Sequence, residues 1–115
     1  MSWEVEYTNE FEKWFIGLSQ KEQDAMDRII IMLENLGPTL PFPYSSGVSG
    51  SKHSHMRELR IQHKGTPYRI LYAFDPRRVA ILLLAGNKKG INNWYEKFIP
   101  KADKIYDQHL KTLKN

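Results

Sequence analysis

The chain has 115 residues, 41% of them hydrophobic and 26% charged, with five Phe, six Tyr, three Trp and no cysteine. That length fits one domain with enough large side chains to fill a core, and the missing thiols exclude a disulfide scaffold, a thiolate metal site and a cysteine nucleophile. The net charge of +4 is unevenly spread: residues 1–36 carry three basic against eight acidic residues, giving −5, and residues 37–115 carry fourteen against five, giving +9.

A basic field over the second part raises the local concentration of phosphate ligands, so a polyanion is expected on one surface and not on the other. The N-terminus has neither a basic n-region nor an apolar h-region, and the longest apolar run, Val79 to Ala85, is too short to span a bilayer. A soluble, cytoplasmic protein with no membrane association is expected.

Trp3-Glu-Val-Glu-Tyr7 alternates apolar with acidic residues and predicts a half-buried strand. Asn9 with Glu12 three residues on predicts a capped helix start, and Phe11, Trp14, Phe15 and Leu18 form its apolar stripe. A second capping box, Ser19 with Glu22, opens a helix buried along Met26, Ile29, Ile30, Leu33 and Leu36 until Gly37-Pro38 stops it. The two helices are expected to form an antiparallel hairpin. Gly37 to Ser54, rich in Pro, Gly and Ser, reads as a loop long enough to have a function.

Three strand-like runs follow, Met56 to Gln62, Pro67 to Phe74 and Arg78 to Ala85, joined by the turn formers His63-Lys-Gly-Thr66 and Asp75-Pro-Arg-Arg78. They predict an antiparallel meander. Beyond Gly86-Asn-Lys-Lys-Gly90 and a short Trp94-Tyr95 segment, Pro100 is expected to open a C-terminal helix with Ala102, Ile105, Tyr106, His109, Leu110 and Leu113 on one face. The order is β-α-α-β-β-β-α, a single α+β domain.

Folding the meander on a two-residue Lys64-Gly65 loop places Ile61 with Tyr68, Leu59 with Ile70 and Arg57 with Tyr72 on a core face. The other face then sets Arg60 directly against Arg69, two cations about 5 Å apart that need a counter-charge. Glu58 can neutralise them within the protein, and an RNA phosphate or a partner's carboxylate can do so from outside. A two-residue Pro76-Arg77 loop places Phe74 with Val79, Tyr72 with Ile81 and Ile70 with Leu83, and sets Arg69 against Leu84, with Lys88 and Lys89 near the same end. Cations so gathered suit phosphoryl chemistry, and suit plain binding equally.

Met56-Arg-Glu-Leu-Arg60, Gly65-x-x-Tyr68-Arg69-Ile-Leu-Tyr72, the Asp75-Pro76 turn, the apolar last strand, Gly86-Asn-Lys-Lys-Gly90, Trp94-Tyr95 and Ile99-Pro-x-Ala-Asp103-x-x-Tyr106 together resemble the RelE/ParE toxin superfamily of type II toxin–antitoxin modules. Within it the chain resembles the HigB-like, phage-derived Gp49-like branch, along nearly its whole length. The resemblance implies a RelE-like fold, with the N-terminal strand and helical hairpin packed on the meander and a C-terminal helix. It implies a cofactor-free, metal-independent endoribonuclease that cleaves mRNA on the ribosome and is silenced by a helix-turn-helix antitoxin.

Carried over by position, Arg69 matches the strand arginine that stabilises the transition-state phosphate, Arg60 the arginine of the Glu-Leu-Arg motif, and Lys88 and Lys89 the basic pair after the last strand. Tyr95 matches a C-terminal tyrosine that stacks on a base. Departures are Asn87 where many members have an aromatic residue, and Met56 and Glu58 where RelE has lysines. The general base is thus open between Glu58, a lysine of depressed pKa, and His53 or His55. Lys52, His53, His55, Arg57 and Tyr95 are assigned to RNA contact. His53, His55 and His63 have no carboxylate nearby except Glu58, so no metal site is expected. Two other classes compete: a non-catalytic or ParE-like binder of a protein target, and a phage-derived nucleic-acid-binding module. The first is disfavoured by the arginines and lysines, the second by the acidic first turns of the Ser19 to Leu36 helix.

Overall fold

Strand β1 (Val5–Tyr7) lies parallel to β5 (Ala80–Asn87), and β5, β4 (Thr66–Phe74), β3 (Arg57–His63) and β2 (Ser45–Gly47) continue antiparallel, in the sheet order β1-β5-β4-β3-β2. The structure, a computed structural model, describes residues 2–114. Helices α1 (Asn9–Ile16) and α2 (Gln20–Leu36) follow β1, and α3 (Trp94–Thr112) follows β5.

Successive side chains of a strand point to opposite faces, and here both faces are covered. Ile70 and Tyr72 of β4 enter a core with Phe11, Met26, Ile29 and Leu33, whereas Leu71 and Ala73 enter a second core with Trp94, Ile99, Ala102 and Tyr106. The sheet is therefore a middle layer between the helical hairpin and α3. The expected α+β architecture with a C-terminal helix is what the chain forms.

Several local expectations are corrected. The α1 cap is Thr8, one residue before the expected Asn9. Its hydroxyl accepts from the Phe11 N–H at 3.1 Å and donates to the Leu83 carbonyl at 2.8 Å, so a bond to the sheet chooses the cap. The Ser19–Glu22 capping box of α2 forms as expected. Leu36, expected in the buried stripe, is exposed because the chain turns away at Gly37. Gly37 has φ +56°, and a Cβ there would fall 2.4 Å from the Trp3 indole, so no other residue fits.

The Gly37 to Ser54 loop contains a 3-10 turn (Gly37–Thr39) and β2. β2 is Ser-Ser-Gly with no apolar alternation, held by main-chain pairing to β3 and by the buried Ser45 hydroxyl, 2.7 Å from the Tyr72 hydroxyl. The β3–β4 register agrees with expectation, Arg60 opposite Arg69, on a turn where Lys64 and Gly65 both have positive φ.

The β4–β5 register does not. Asp75 accepts from the Arg77 N–H at 2.8 Å and the Val79 N–H at 3.3 Å, which widens the turn, and a bulge between Leu71 and Tyr72 adds another residue of slip. Tyr72 consequently faces Leu82, Ile70 faces Ala85, and Arg69 faces Gly86 instead of Leu84. Arg78 belongs to the turn, with φ +67°, and not to a strand. Helix α3 begins at Trp94 and runs through Pro100, which was expected to open it. A proline inside a helix costs about 3 kcal/mol, and burying Trp94 and Ile99 before it and Ala102 and Tyr106 after it offsets that cost.

Candidate active site

Glu58 and Arg60 are two apart on β3 and so share a face, and the register brings Arg69 of β4 alongside. Without a counter-charge the cross-strand arginines would repel. Glu58, only 4% exposed, lies between them: Oε2 accepts from Arg60 Nη1 at 3.0 Å, and Oε1 is 3.5 Å from Arg69 Nε. Ser46 of β2 donates to Oε2 at 2.8 Å and the Tyr95 hydroxyl donates to Oε1 at 2.6 Å. The carboxylate thus accepts three hydrogen bonds, from Arg60, Ser46 and Tyr95, with the Arg69 guanidinium at ion-pair distance.

The two arginines differ in burial. Arg69 is 6% exposed, with Nη1 donating to the Tyr68 carbonyl at 2.9 Å and Nε to the Tyr95 hydroxyl at 3.3 Å. The sequence places its side chain on an open face, and the structure corrects this: α3 closes over β4 and β5 and brings Tyr95 onto it. The Arg60 side chain keeps 29% of its surface exposed, with its guanidinium 5.1 Å over the Phe42 ring. Burial, and next Glu58, push the Tyr95 hydroxyl above its usual pKa, while Arg69 pulls the other way. Lys88 holds its ammonium 5.0 Å over the Tyr95 ring, and Lys89 is exposed. Glu58 and Tyr95, with Gly47, Val48 and Ser49, line a cleft of about 300 Å³.

Arg60, Arg69, Glu58 and Lys88 are therefore brought together around Tyr95. Lys52, His53, His55 and Arg57, assigned to RNA contact, lie outside this cluster. The Lys52 ammonium pairs with Asp107, His53 Nε2 is 2.8 Å from the same carboxylate, and His55 Nε2 is 3.0 Å from the Tyr106 hydroxyl. Hydrogen bonds from Lys52 and His53 hold Asp107 below the usual carboxylate range. These residues dock the loop on α3 about 16 Å of helix beyond Tyr95, at about 1.5 Å per residue. Arg57 is on the opposite face, opposite Tyr72 in the register and donating to Ser45 Oγ at 3.1 Å. Among the described residues no three of His, Cys, Asp and Glu are grouped so as to hold a metal ion.

Ser46 and the hydroxyl role of Tyr95 are absent from the sequence reading. Neither has a local signal, since a short serine strand and a helix start supply them from distant positions.

Residues 13–107 match the family described as phage derived protein Gp49-like (DUF891). The chain is 42% identical over 99 residues to HigB2 of Mycobacterium tuberculosis (strain ATCC 25618 / H37Rv), across 84% of this chain and 49% of that one. It is 44% identical over 100 residues to HigB3 of the same organism, across 86% of each. Both relatives are named as candidate toxins, and the chain spans about half the length of the first. The fold is similar to that of an E. coli toxin RelE mutant in the free state, with a TM-score of 0.58 over 85% of this chain and 96% of that one, at 11% identity. A family match along most of its length, two HigB relatives above 40% identity and the RelE fold carry one conclusion: the chain belongs to the phage-derived Gp49-like family, in its HigB-like branch.

Proposed function

We propose that the chain is the toxin of a HigB/RelE-type toxin–antitoxin system and acts as an endoribonuclease on mRNA at the ribosome, neutralised by a helix-turn-helix antitoxin. Family and fold support the toxin reading. The observation that carries the chemistry is the Arg60–Arg69 pair held across β3 and β4 by a carboxylate and a phenol.

In the proposed reaction the ribose 2′-hydroxyl attacks the adjacent phosphorus, the O2′–P bond forms, and the P–O5′ bond breaks to leave a 2′,3′-cyclic phosphate and a 5′-hydroxyl. Arg60 and Arg69 stabilise the charge that builds on the non-bridging oxygens. Glu58 is only 4% exposed and is capped by the Tyr95 hydroxyl, so the 2′-hydroxyl proton passes to the Tyr95 oxygen as the Tyr95 proton moves to Glu58, 2.6 Å away. Lys88 supplies the proton to the 5′-oxygen, and Lys89 adds positive charge to the strand's path.

The reading predicts that induced expression arrests growth and that purified protein cuts mRNA on programmed ribosomes to 2′,3′-cyclic phosphate ends, with zinc and manganese depletion leaving the rate unchanged. Intact mRNA after incubation with folded protein would overturn it. A strict requirement for an added transition metal would overturn the proton route through Tyr95 and Glu58.

A further inference from the structure

The segment that leads into β2 is fixed by main-chain bonds: Tyr44 N–H and Ser45 N–H donate to the Pro41 carbonyl at 3.0 and 3.1 Å, and Arg60 N–H donates to the Tyr44 carbonyl at 2.9 Å. Leu40 is buried and anchors it, yet two aromatic rings stay outside, Phe42 at 68% and Tyr44 at 37% exposure. Single exposed apolar side chains are ordinary. These two are set apart by their surroundings.

The Arg60 guanidinium that bonds Glu58 is the one that lies over Phe42, so the ring is next to the phosphate-binding pair. Beside it a cleft of about 310 Å³ is lined by Pro43, Tyr44, Gln62, Arg60, Arg69 and, from α2, Arg28. Among the described residues no carboxylate lines this cleft. Its volume is at the small end of the range for ligand pockets, about 300–1,000 Å³. Flat apolar surface, an amide able to donate and accept, and three arginines fit a ligand that joins an aromatic base to a phosphate. Arg28 is one of only three basic residues in the acidic first 36, and it is the one that faces this cleft.

We propose that this cleft, together with the Phe42 ring that adjoins it under Arg60, is a nucleotide subsite flanking the scissile phosphate: a base of single-stranded RNA stacks on Phe42, Gln62 meets a base edge, and Arg28 holds the neighbouring phosphate. The proposal rests on the ribonuclease reading for the identity of its ligand, and it adds the contacts that would select a base.

The test is a titration of a fluorescent single-stranded RNA octamer, 2′-O-methylated throughout so that no nucleophile is present, against the full chain. Phe42→Leu, which keeps an apolar side chain and loses the π-face, is expected to bind about tenfold more weakly, and Phe42→Tyr as wild type. Arg28→Gln should lower the slope of log K against log salt by about 0.7, the contribution of one phosphate contact to a single strand. Octamer affinity unchanged in Phe42→Leu, or a salt slope unchanged in Arg28→Gln, would overturn the subsite. Adenosine monophosphate binding as tightly as the octamer would overturn the assignment to an RNA strand. Phe42→Leu that binds RNA normally and loses only ribosome association would make the ring a protein contact, which also overturns it. Cleavage on programmed ribosomes, measured on the same preparations, separates the two readings. Wild-type cleavage with a Phe42-independent titration removes the subsite alone, whereas Phe42-dependent binding without cleavage supports the subsite and removes the nuclease.

Discussion

Glu58 gives Arg60 and Arg69 different energetic roles. Arg69 is buried with its partner, so Arg69→Gln leaves a carboxylate short of charge and the Tyr68 carbonyl short of a donor. Its expected cost is about 2–3 kcal/mol, read as a lower midpoint in urea unfolding. Arg60 is partly exposed, and Glu58 keeps Ser46, Tyr95 and Arg69 without it, so Arg60→Gln should change stability by less than about 1 kcal/mol. Cleavage per folded molecule should fall at least a hundredfold in Arg60→Gln. A large stability loss in Arg60→Gln with unchanged activity would make the cluster a structural ion-pair network. Tyr95→Phe removes the proposed proton path and spares the ring under Lys88, so it should abolish cleavage on programmed ribosomes in a protein that still folds.

Tyr95 reaches the sheet because the preceding residue seats the helix. Trp94 is buried against Gly86, where an added Cβ would fall 2.9 Å from the indole Nε1. Gly86 is the residue facing Arg69, so the glycine that admits the indole also adjoins the site. Gly86→Ala must push the first turn of α3 outward, at a cost of about 1–3 kcal/mol by overpacking. Activity should fall further than stability, since the Tyr95 hydroxyl moves with that turn. Calorimetry and cleavage on one preparation check this, and an unshifted Tm would mean that the indole has room to move. The same logic explains how α3 absorbs Pro100: tertiary packing on both sides of it outweighs a propensity that, read locally, starts a new helix.

Across the whole molecule a second buried carboxylate ties the ends of the chain together. Asp75, with a fully buried side chain, accepts from Arg77 Nη2 and faces His109 Nε2, each at 2.8 Å, and Arg77 reaches Glu6 at 2.9 Å. Burial pushes Asp75 up in pKa, but hydrogen bonds from Arg77, His109 and the Val79 and Arg77 amides outweigh it and leave the carboxyl below its usual 3.8. A depressed carboxyl contributes stability above its unfolded value and loses it as pH falls through the folded one. Thermal melts should therefore show wild type losing stability below about pH 4, with Asp75→Asn less stable at neutral pH and flatter over that range. At the other extreme, burial and then Glu22 push the Tyr68 hydroxyl up to about 12. The unfolded chain ionises first, near 10, so stability should drop as pH rises from about 10 to 12, and Tyr68→Phe should remove that drop.

What the sequence determined by itself is whatever a short window of chain encodes. The Ser19–Glu22 box, the α2 stripe from Met26 to Leu33 and the Lys64-Gly65 turn are local patterns, and once that turn is set, strand periodicity alone carries Arg60 to Arg69. Glu58 beside them follows from the same alternation. Only the tertiary structure decided the rest. A bulge and an Asp75-braced turn moved β5, a serine strand with no apolar signal joined the sheet edge, and a helix running through its own proline delivered Tyr95. Lys52, His53 and His55 carry site-like chemistry in the sequence, yet Asp107 and Tyr106 hold them on another part of α3. The physical reason is common to all of these. Register beyond a single turn, the burial of an arginine and the partner of a loop histidine depend on contacts between residues far apart in the chain, which only packing selects.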